Sequence, residues 1–148
     1  MKTKTTMMNR EAGFTLIELM IVVVIIGILA SIAIPNFVAM QDRAKEGSTK
    51  ANMHTFQLSA EDYAIQNSGV YAGTAGAVAS LIPPAGITFI NPFSSSSVAY
   101  VDQATWTVPL ATGSTVPGIV AYGDSLQGRY QVAGHGRDVD LALVLTSQ

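Results

Sequence analysis

The sequence contains no cysteine, which excludes disulfide bonds, thiolate zinc sites and a cysteine nucleophile. Charged residues are also scarce, at 12% of the chain with a net charge of −2, so no basic surface of the kind that binds nucleic acid is expected. The motif spacings of zinc proteases, P-loops and serine hydrolases are missing as well. We therefore expect no enzyme activity, no cofactor and no specific nucleic-acid site.

One long apolar stretch dominates what the sequence does contain. From Phe14 to Ile34 the only ionisable side chain is that of Glu18, and the flank before this stretch, residues 1–13, is basic. At ~1.5 Å of rise per residue, a helix of this length spans roughly the ~30 Å hydrocarbon core of a bilayer. An unpaired carboxylate in hydrocarbon costs about 2.5–3.5 kcal/mol, so we expect Glu18 to have a partner.

An ordinary secretory signal peptide is the competing interpretation of this stretch. Such a peptide also begins with a basic flank, and Ser31-Ile32-Ala33 has the small residues of a cleavage site. Two features argue against it: Glu18 falls inside the apolar region, and that region exceeds the ~7–15 residues usual for a signal peptide. A secreted, soluble β-rich binding protein that begins near Ile34 stays open as an alternative.

The apolar stretch begins with a specific string, Gly13-Phe14-Thr15-Leu16-Ile17-Glu18, and has Pro35 near its end. Together these residues resemble the N-terminus of type IV pilins and of the similar pseudopilins of type II secretion. The resemblance implies that a prepilin peptidase cuts between Gly13 and Phe14, and that Phe14 is then N-methylated. It also implies that Thr15 and Glu18 act in assembly, with the Glu18 carboxylate pairing with the new amine of a neighbouring subunit.

The resemblance implies a structural filament subunit that is stored as a single-pass inner-membrane protein and then polymerises through its N-terminal helix into an extracellular pilus. Adhesion, motility and DNA uptake all stay open as roles. The implied partners are further copies in a helical homopolymer, the prepilin peptidase, an inner-membrane assembly platform, and membrane lipid before assembly. The alternative within the family is a minor pilin, or a type II secretion pseudopilin in a periplasmic pseudopilus. The absent cysteines weaken assignment to the best-known pilins, which often hold two in a C-terminal loop.

The helix is predicted to run from Phe14 to about Asn67 and to stop at Gly69. Gly27 and Pro35 interrupt it, so we expect a kink near Pro35, and similar pilins imply that Gly27 to Pro35 loses helical hydrogen bonds in filaments. Beyond Pro35 apolar residues recur every seven positions, and we expect this stripe to cover a sheet. The stripe consists of Phe37, Ala44, Ala51, Leu58 and Ile65, widened by Met40, Phe56 and Tyr63.

The remaining chain predicts a small sheet. Residues 68–97 are interpreted as a connecting loop region with one short helical turn at Gly76 to Leu81, and residues 98–148 as the sheet of a globular head. Three or four of the five short β-forming runs there are expected to pair in antiparallel fashion, with Trp106 in the core or as a cross-strand anchor. The five runs are Val98–Val101, Thr105–Leu110, Gly118–Tyr122, Arg129–Ala133 and Val139–Thr146. The predicted fold is α+β, a long N-terminal α-helix packed against a small C-terminal antiparallel β-sheet.

A few polar residues have two interpretations each. His54 is placed on the sheet side of the helix and His135 in a turn. Asp138 and Asp140, with Asp124, offer oxygen ligands for a calcium site like those of some pseudopilins, but charges at a sheet edge are the favoured interpretation, so no metal is expected. The serine run Ser94 to Ser97 is interpreted as a flexible turn in preference to a site for O-linked sugar.

Overall fold

The computed structural model describes residues 13–82, 90–94, 99–103, 112–125 and 128–147. Its elements in chain order are α1 (Leu16–Gln66), α2 (Ala75–Ala79), β1 (Tyr100–Asp102), β2 (Val120–Ser125), β3 (Arg129–His135) and β4 (Asp140–Thr146). The chain divides into two compact units, Met1–Ala39 and Met40–Gln148, and α1 contributes to both. The predicted α+β class is confirmed. The predicted run Thr105–Leu110, which includes Trp106, and residues 95–97 lie outside the described residues.

The described part of the first unit is the start of α1. Its side chains are exposed almost throughout, from Phe14 (86% exposed) to Ile34 (61%). By length and composition, α1 is the one described helix that is able to cross a membrane. An apolar surface of this size is unfavourable in water, so it requires a covering of lipid or protein.

The far end of α1 is closed by a Schellman motif. The Gly69 N–H donates to the carbonyl oxygen of Ala64 at 2.8 Å. This hydrogen bond closes a turn of six residues, 64–69. Gly69 has the positive φ expected for a helix stop, at 87°, and the left-handed conformation begins one residue earlier, at Ser68 with a φ of 58°. The helix therefore ends where local sequence signals placed its end.

The four strands form a mixed sheet in the order β1-β2-β3-β4. The pairs β2–β3 and β3–β4 are antiparallel, as predicted. In contrast to the prediction, the edge strand β1 is parallel to β2, with Tyr100 opposite Val120. Residues 103–119 separate these two strands, and a connection of more than about a dozen residues is long enough for the crossover that parallel pairing requires.

The core of the second unit lies between α1 and one face of the sheet. From the helix it takes residues spaced three or four apart, and from the sheet alternate residues of β2 and β3. The buried helix residues are Thr49, Met53, Phe56, Ala60 and Ala64, and the buried strand residues are Val120, Tyr122, Tyr130 and Val132. Both faces of β3 are buried, because Gln131, Ala133 and His135 are covered as well.

The predicted sheet-facing stripe is wrong for α1. Leu58 and Ile65 are 71% and 80% exposed, and Ala44 and Ala51 are exposed with them. At 3.6 residues per turn, this row lies on nearly the opposite side of the helix from Met53 and its buried neighbours. Of the residues that were predicted to widen the stripe, Phe56 is buried in the core, whereas Met40 is exposed.

Three tyrosines bring hydroxyl groups into this core, and each has an acceptor. Tyr130 and Tyr71 donate to the two carboxylate oxygens of Glu61 at 2.6 and 3.1 Å, and Tyr122 donates to the carbonyl of Ala72 at 2.8 Å. Burial raises the pKa of Tyr122 and Tyr130 well above the ordinary value, so both stay neutral donors. The aromatic core is therefore fixed to α1 and to the loop after it by directional bonds.

We expect Gly134→Ala to destabilise the second unit by about 1–3 kcal/mol, because it overpacks the core. A Cβ atom at this position would lie 2.6 Å from Sδ of Met53 and 3.1 Å from Cδ1 of Leu141, and the Met53 side chain is fully buried. Thermal unfolding of the full-length chain in detergent measures the effect. Gly76→Ala, where no atom lies within 4 Å of the added Cβ, is the matched control and should not lose stability. Equal melting temperatures for the two variants would contradict this packing.

Candidate functional site

The start of α1 is a capping box made by Thr15 and Glu18. The Glu18 carboxylate accepts hydrogen bonds from the backbone N–H and the hydroxyl of Thr15, at 2.8 and 2.6 Å. In return, the Thr15 hydroxyl oxygen accepts from the Glu18 N–H at 3.3 Å. This reciprocal bonding satisfies N–H groups that have no partner inside the helix. Sequence reasoning singled out both residues but missed their mutual bond, which the Thr-x-x-Glu spacing signals.

The structure brings the candidate processing and assembly residues into one turn. Gly13 and Phe14 directly precede the capping box, and both are exposed. Glu18 is exposed too, and its hydrogen bonds within the described chain go only to Thr15. The carboxylate also lies at the positive end of the helix dipole, where negative charge is favoured. The Glu18 carboxylate is thus held in a defined position by Thr15 and is exposed, so that a cation can also bind it.

The candidate kink residues lie inside an uninterrupted part of α1. The helix continues through Gly27 and Pro35, and no atom lies within 4 Å of the place of a Cβ at Gly27. Because proline has no N–H, the carbonyl group of the residue four positions before Pro35 lacks its helical donor. Next to Pro35, the Asn36 side-chain amide donates to the Ile32 carbonyl at 3.1 Å. Whether this part of the helix loses hydrogen bonds in an assembly stays a prediction.

The exposed apolar row of the second unit is a further candidate surface, which we name the outer stripe. Its members are Met40, Ala44, Ala51, Leu58 and Ile65. The three large ones are 68%, 71% and 80% exposed, in chain order. Large apolar side chains that share one face and have no cover mark interaction surfaces. Sequence reasoning found these residues but assigned them to the wrong partner, the sheet.

The two histidines are placed differently from the prediction. His54 is exposed on α1 and does not face the sheet. His135 is not in a turn, since it is the last residue of β3 and is buried. Its Nδ1 lies 2.7 Å from Oδ1 of Asp140, and Thr112 donates to both carboxylate oxygens of that aspartate through its N–H and hydroxyl groups. This cluster, which we name the Asp140 latch, fixes residue 112 to the β3–β4 hairpin.

The three aspartates proposed as calcium ligands are not brought together. Asp124 is exposed on β2, Asp138 is exposed in the turn before β4, and Asp140 belongs to the latch. Because Asp138 precedes β4, it does not share a strand face with Asp140. Across the described residues, no three histidine, cysteine, aspartate or glutamate side chains form a group able to hold a metal ion.

Acid is expected to weaken the second unit through the Asp140 latch. Burial alone would raise the pKa of Asp140, but hydrogen bonds from His135 and Thr112 outweigh it and hold the pKa below the ordinary value. The stabilisation is therefore present above the unfolded-state pKa of about 3.9, and it is lost as the pH falls through the folded-state pKa. Melting temperatures measured from pH 6 down to pH 2.5 should fall less steeply for Asp140→Asn than for the unaltered chain. Asp138→Asn, an exposed neighbour, should keep the original slope, and an unchanged slope in Asp140→Asn would refute the latch.

The β3–β4 turn also contacts α1 and borders a pocket. Nη1 of Arg137 lies 2.7 Å from Oδ1 of Asp42, and the Arg137 N–H donates to Glu46 at 3.3 Å. Lys45 lies over the ring of Phe93, its Nζ 5.5 Å from the ring centroid. Beside these contacts is a pocket of about 370 Å³. It is lined by Lys45, Phe93, Ser94, Val116, Pro117, Arg137 and Asp138.

Comparison with known proteins places the most specific similarity at the start of α1. Residues 8–34 match the family model described as the prokaryotic N-terminal methylation motif. The type IV narrow pilus major component PilA5 of Thermus thermophilus is 36% identical over 98 residues, which cover 66% of this chain and 71% of that protein. The type IV major pilin PilA of Myxococcus xanthus is 66% identical over 44 residues, 30% of this chain and 20% of that protein.

Similarity extends to a secretion component. The type II secretion system core protein G of Klebsiella pneumoniae is 34% identical over 61 residues, which cover 41% of this chain and 44% of that protein. The chain thus spans less than half of the Klebsiella protein and a fifth of the Myxococcus protein, but more than two thirds of the Thermus protein. No solved structure matches the chain.

Proposed function

The chain belongs to the family of type IV pilins and type II secretion pseudopilins, and from this premise we propose that it is the structural subunit of a type IV pilus-like extracellular filament. The observation that carries the proposal is the exposed apolar start of α1, where none of the most hydrophobic 18-residue window is buried. At about 25 cal/mol per Å² of apolar area, such a helix is not stable as a monomer in water. It is held first by inner-membrane lipid and then by the corresponding helices of neighbouring subunits.

Processing converts the stored form into the assembling form. We assign residues 1–13 to a leader that a prepilin peptidase removes between Gly13 and Phe14, after which Phe14 is N-methylated. Residues 14–34 then form the membrane and filament-core part, and the second unit forms the head. The exposed capping box supports this assignment, because it presents the Glu18 carboxylate directly beside the residue that becomes the new amino terminus.

Glu18 exchanges partners during assembly in this proposal. In the single chain its carboxylate bonds only to Thr15 among the described residues. In the filament it also pairs with the Phe14 amine of a neighbouring copy, because a carboxylate in a low-dielectric helix bundle requires a cation within about 4–6 Å. The pair fixes the axial position of each subunit as it is added by the inner-membrane platform.

Gly27 to Pro35 is proposed as the part of α1 that loses hydrogen bonds when helices pack in the filament. Two features support it: glycine lowers helix stability by about 1 kcal/mol relative to alanine, and Pro35 already leaves one carbonyl without its helical donor. We expect Gly27→Ala to retain more helical hydrogen bonds between these residues, as seen in filament density. Density that is continuously helical here in the unaltered filament would contradict the proposal.

The second candidate is a pseudopilin of a type II secretion system, and the similarity to core protein G favours it. Such a subunit uses the same helix but assembles a short periplasmic filament. The relatives reported above are named as pilus and secretion-system components, which supports a structural role and not an enzymatic one. As a pilus subunit, the chain serves adhesion, motility or DNA uptake in this proposal.

Electron microscopy of cells that carry a tagged copy of the chain tests the proposed function. A pilus subunit predicts tag-labelled filaments on the cell surface, lost on gene deletion and recovered in the sheared fraction after complementation. Label confined to the periplasm would support the pseudopilin instead. A tagged protein that remains unassembled in the culture medium, with an N-terminus near Ile34, would overturn both in favour of a secreted soluble protein.

A further inference from the structure

Two surfaces of the second unit face different directions and have complementary shapes, one a row of protruding side chains and the other a pocket. One is the outer stripe, and the other is the pocket beside the β3–β4 turn, whose wall includes Lys45. Lys45 and Leu58 both belong to α1, and at 3.6 residues per turn they point roughly 140° apart around the helix. A single subunit therefore cannot place its own stripe in its own pocket, whereas two copies related by a rotation and a translation can.

The pocket suits an apolar side chain better than a charged ligand. Phe93, Val116 and Pro117 form the apolar part of its wall, and the polar part consists of Lys45, Ser94, Arg137 and Asp138. Its two cationic residues already have partners, since Arg137 is paired with Asp42 and Lys45 lies over the ring of Phe93. The carboxylates of Asp42, Glu46 and Asp138 lie around or beside these cations and disfavour an added anion. A volume of about 370 Å³ is more than one aliphatic side chain fills.

The outer stripe supplies such side chains on the same molecule. Leu58 and Ile65 are its most exposed members, and the small residues Ala44 and Ala51 on the same row permit close approach of another backbone. When a protruding side chain of one copy enters a pocket on a different side of the next copy, the contact is heterologous. Such a contact does not close on itself unless the rotation happens to form a ring, and otherwise it propagates as an open helix.

We infer that Leu58 or Ile65 of one subunit inserts into the pocket at Val116 of the next copy, so that heads as well as N-terminal helices connect neighbouring subunits. The inference rests on the proposed function, since it names a second copy as the partner of these two surfaces. Lys45 precedes Leu58 by 13 residues and Ile65 by 20. At ~1.5 Å per residue, the contact therefore requires an axial offset of roughly 20–30 Å between the two subunits.

Disulfide trapping in assembled filaments tests the contact, and the absence of native cysteines makes every cross-link interpretable. The test variant combines Leu58→Cys with Val116→Cys, and a second combines Ile65→Cys with Val116→Cys. Both helix positions are exposed in the single chain, so neither substitution removes a core residue. The control combines Leu58→Cys with Val101→Cys, which is exposed on β1 and does not line the pocket. Filaments are oxidised, then denatured, and separated by size without reductant.

The contact predicts a ladder of linked subunits from at least one test pair, and single subunits from the control pair and from each single cysteine variant. Efficient linking by Leu58→Cys alone would show stripe packed on stripe and would overturn the inference. Normal filaments in which neither test pair links would overturn it as well, while leaving the proposed function intact. Failure of the unaltered chain to form filaments is a different result, because it overturns the proposed function itself.

A charge substitution gives an independent measurement. Leu58→Asp is expected to lower filament yield at least tenfold, because the aspartate loses the apolar contact with Phe93, Val116 and Pro117 and has to be desolvated beside them. Gln41→Asp adds the same charge at an exposed position roughly 100° away around the helix and should keep the yield within about twofold. Equal yields from the two variants would count against a role for the outer stripe.

Discussion

Replacing Glu18 with glutamine is expected to lower filament yield at least tenfold while the chain still accumulates in the membrane. Glutamine keeps an acceptor oxygen for the Thr15 capping bonds but removes the charge that we assign to the amine of a neighbouring subunit. Removal of one partner from a buried ion pair costs about 3–5 kcal/mol, because the other charge is left uncompensated. The measurement compares the sheared filament fraction with the membrane-stored pool by quantitative immunoblot.

Thr15→Ala separates capping from charge. It deletes the hydroxyl group of the capping box but leaves the carboxylate in place, at a cost of about 0.5–2 kcal/mol to the helix end. We expect this variant to assemble far better than Glu18→Gln. An equal loss in both variants would assign the function of Glu18 to helix capping alone, and normal yield from Glu18→Gln would refute the ion pair.

Replacing Gly13 with leucine is expected to block maturation almost completely. No atom lies within 4 Å of the place of a Cβ at Gly13, so the fold of this chain itself tolerates a side chain there. A loss would therefore arise from the peptidase, for which the resemblance implies a glycine before the cut bond. Intact-mass measurement of the membrane fraction should show the chain with its leader, and filaments should be absent.

Gly47→Ala is the matched control for this substitution, because it too adds a Cβ into open space and lies far from the cut bond. It should mature normally, with a mass that begins at methylated Phe14. A Gly13→Leu chain that reaches the same mature N-terminus would show that cleavage occurs elsewhere, and the assignment of residues 1–13 as the leader would fail.

The features that sequence reasoning predicted well depend on contacts within a few residues. The end of α1 lies at Ser68 and Gly69, whose positive φ values require nothing beyond the last turn of the helix. The short helix α2 was expected at Gly76 to Leu81 and is found at Ala75–Ala79, where the Thr74 side chain accepts from the Ala77 N–H. Propensities and caps of this kind act locally, so they are readable from the sequence.

The features that it missed depend on contacts between distant parts of the chain. A count of apolar residues every seven positions selected Leu58 and Ile65, whereas the sheet packs on the side that carries Thr49 and Met53. Polar and small residues on the buried side weakened that signal, and the exposed side carries apolar residues of its own. When a helix carries apolar residues on two sides, its apolar pattern does not say which side the sheet covers.

Strand direction and the Asp140 latch were missed for the same reason. β1 is parallel to β2, and a run of β-forming residues does not encode the direction in which its strand pairs. His135 is positioned by β3 and meets Asp140 across the hairpin, where Thr112 joins them from another part of the chain. The residues next to Thr112, His135 and Asp140 in the sequence do not indicate that these three side chains meet.

The most direct test of the account is a reconstruction, by electron cryomicroscopy, of filaments sheared from cells that express this chain. The account predicts that density begins at methylated Phe14, that the helices of residues 14–34 form the filament core, and that the Glu18 carboxylate lies beside the Phe14 amine of a neighbouring subunit. Filaments built from chains that begin near Ile34, or a core that lacks these helices, would contradict it.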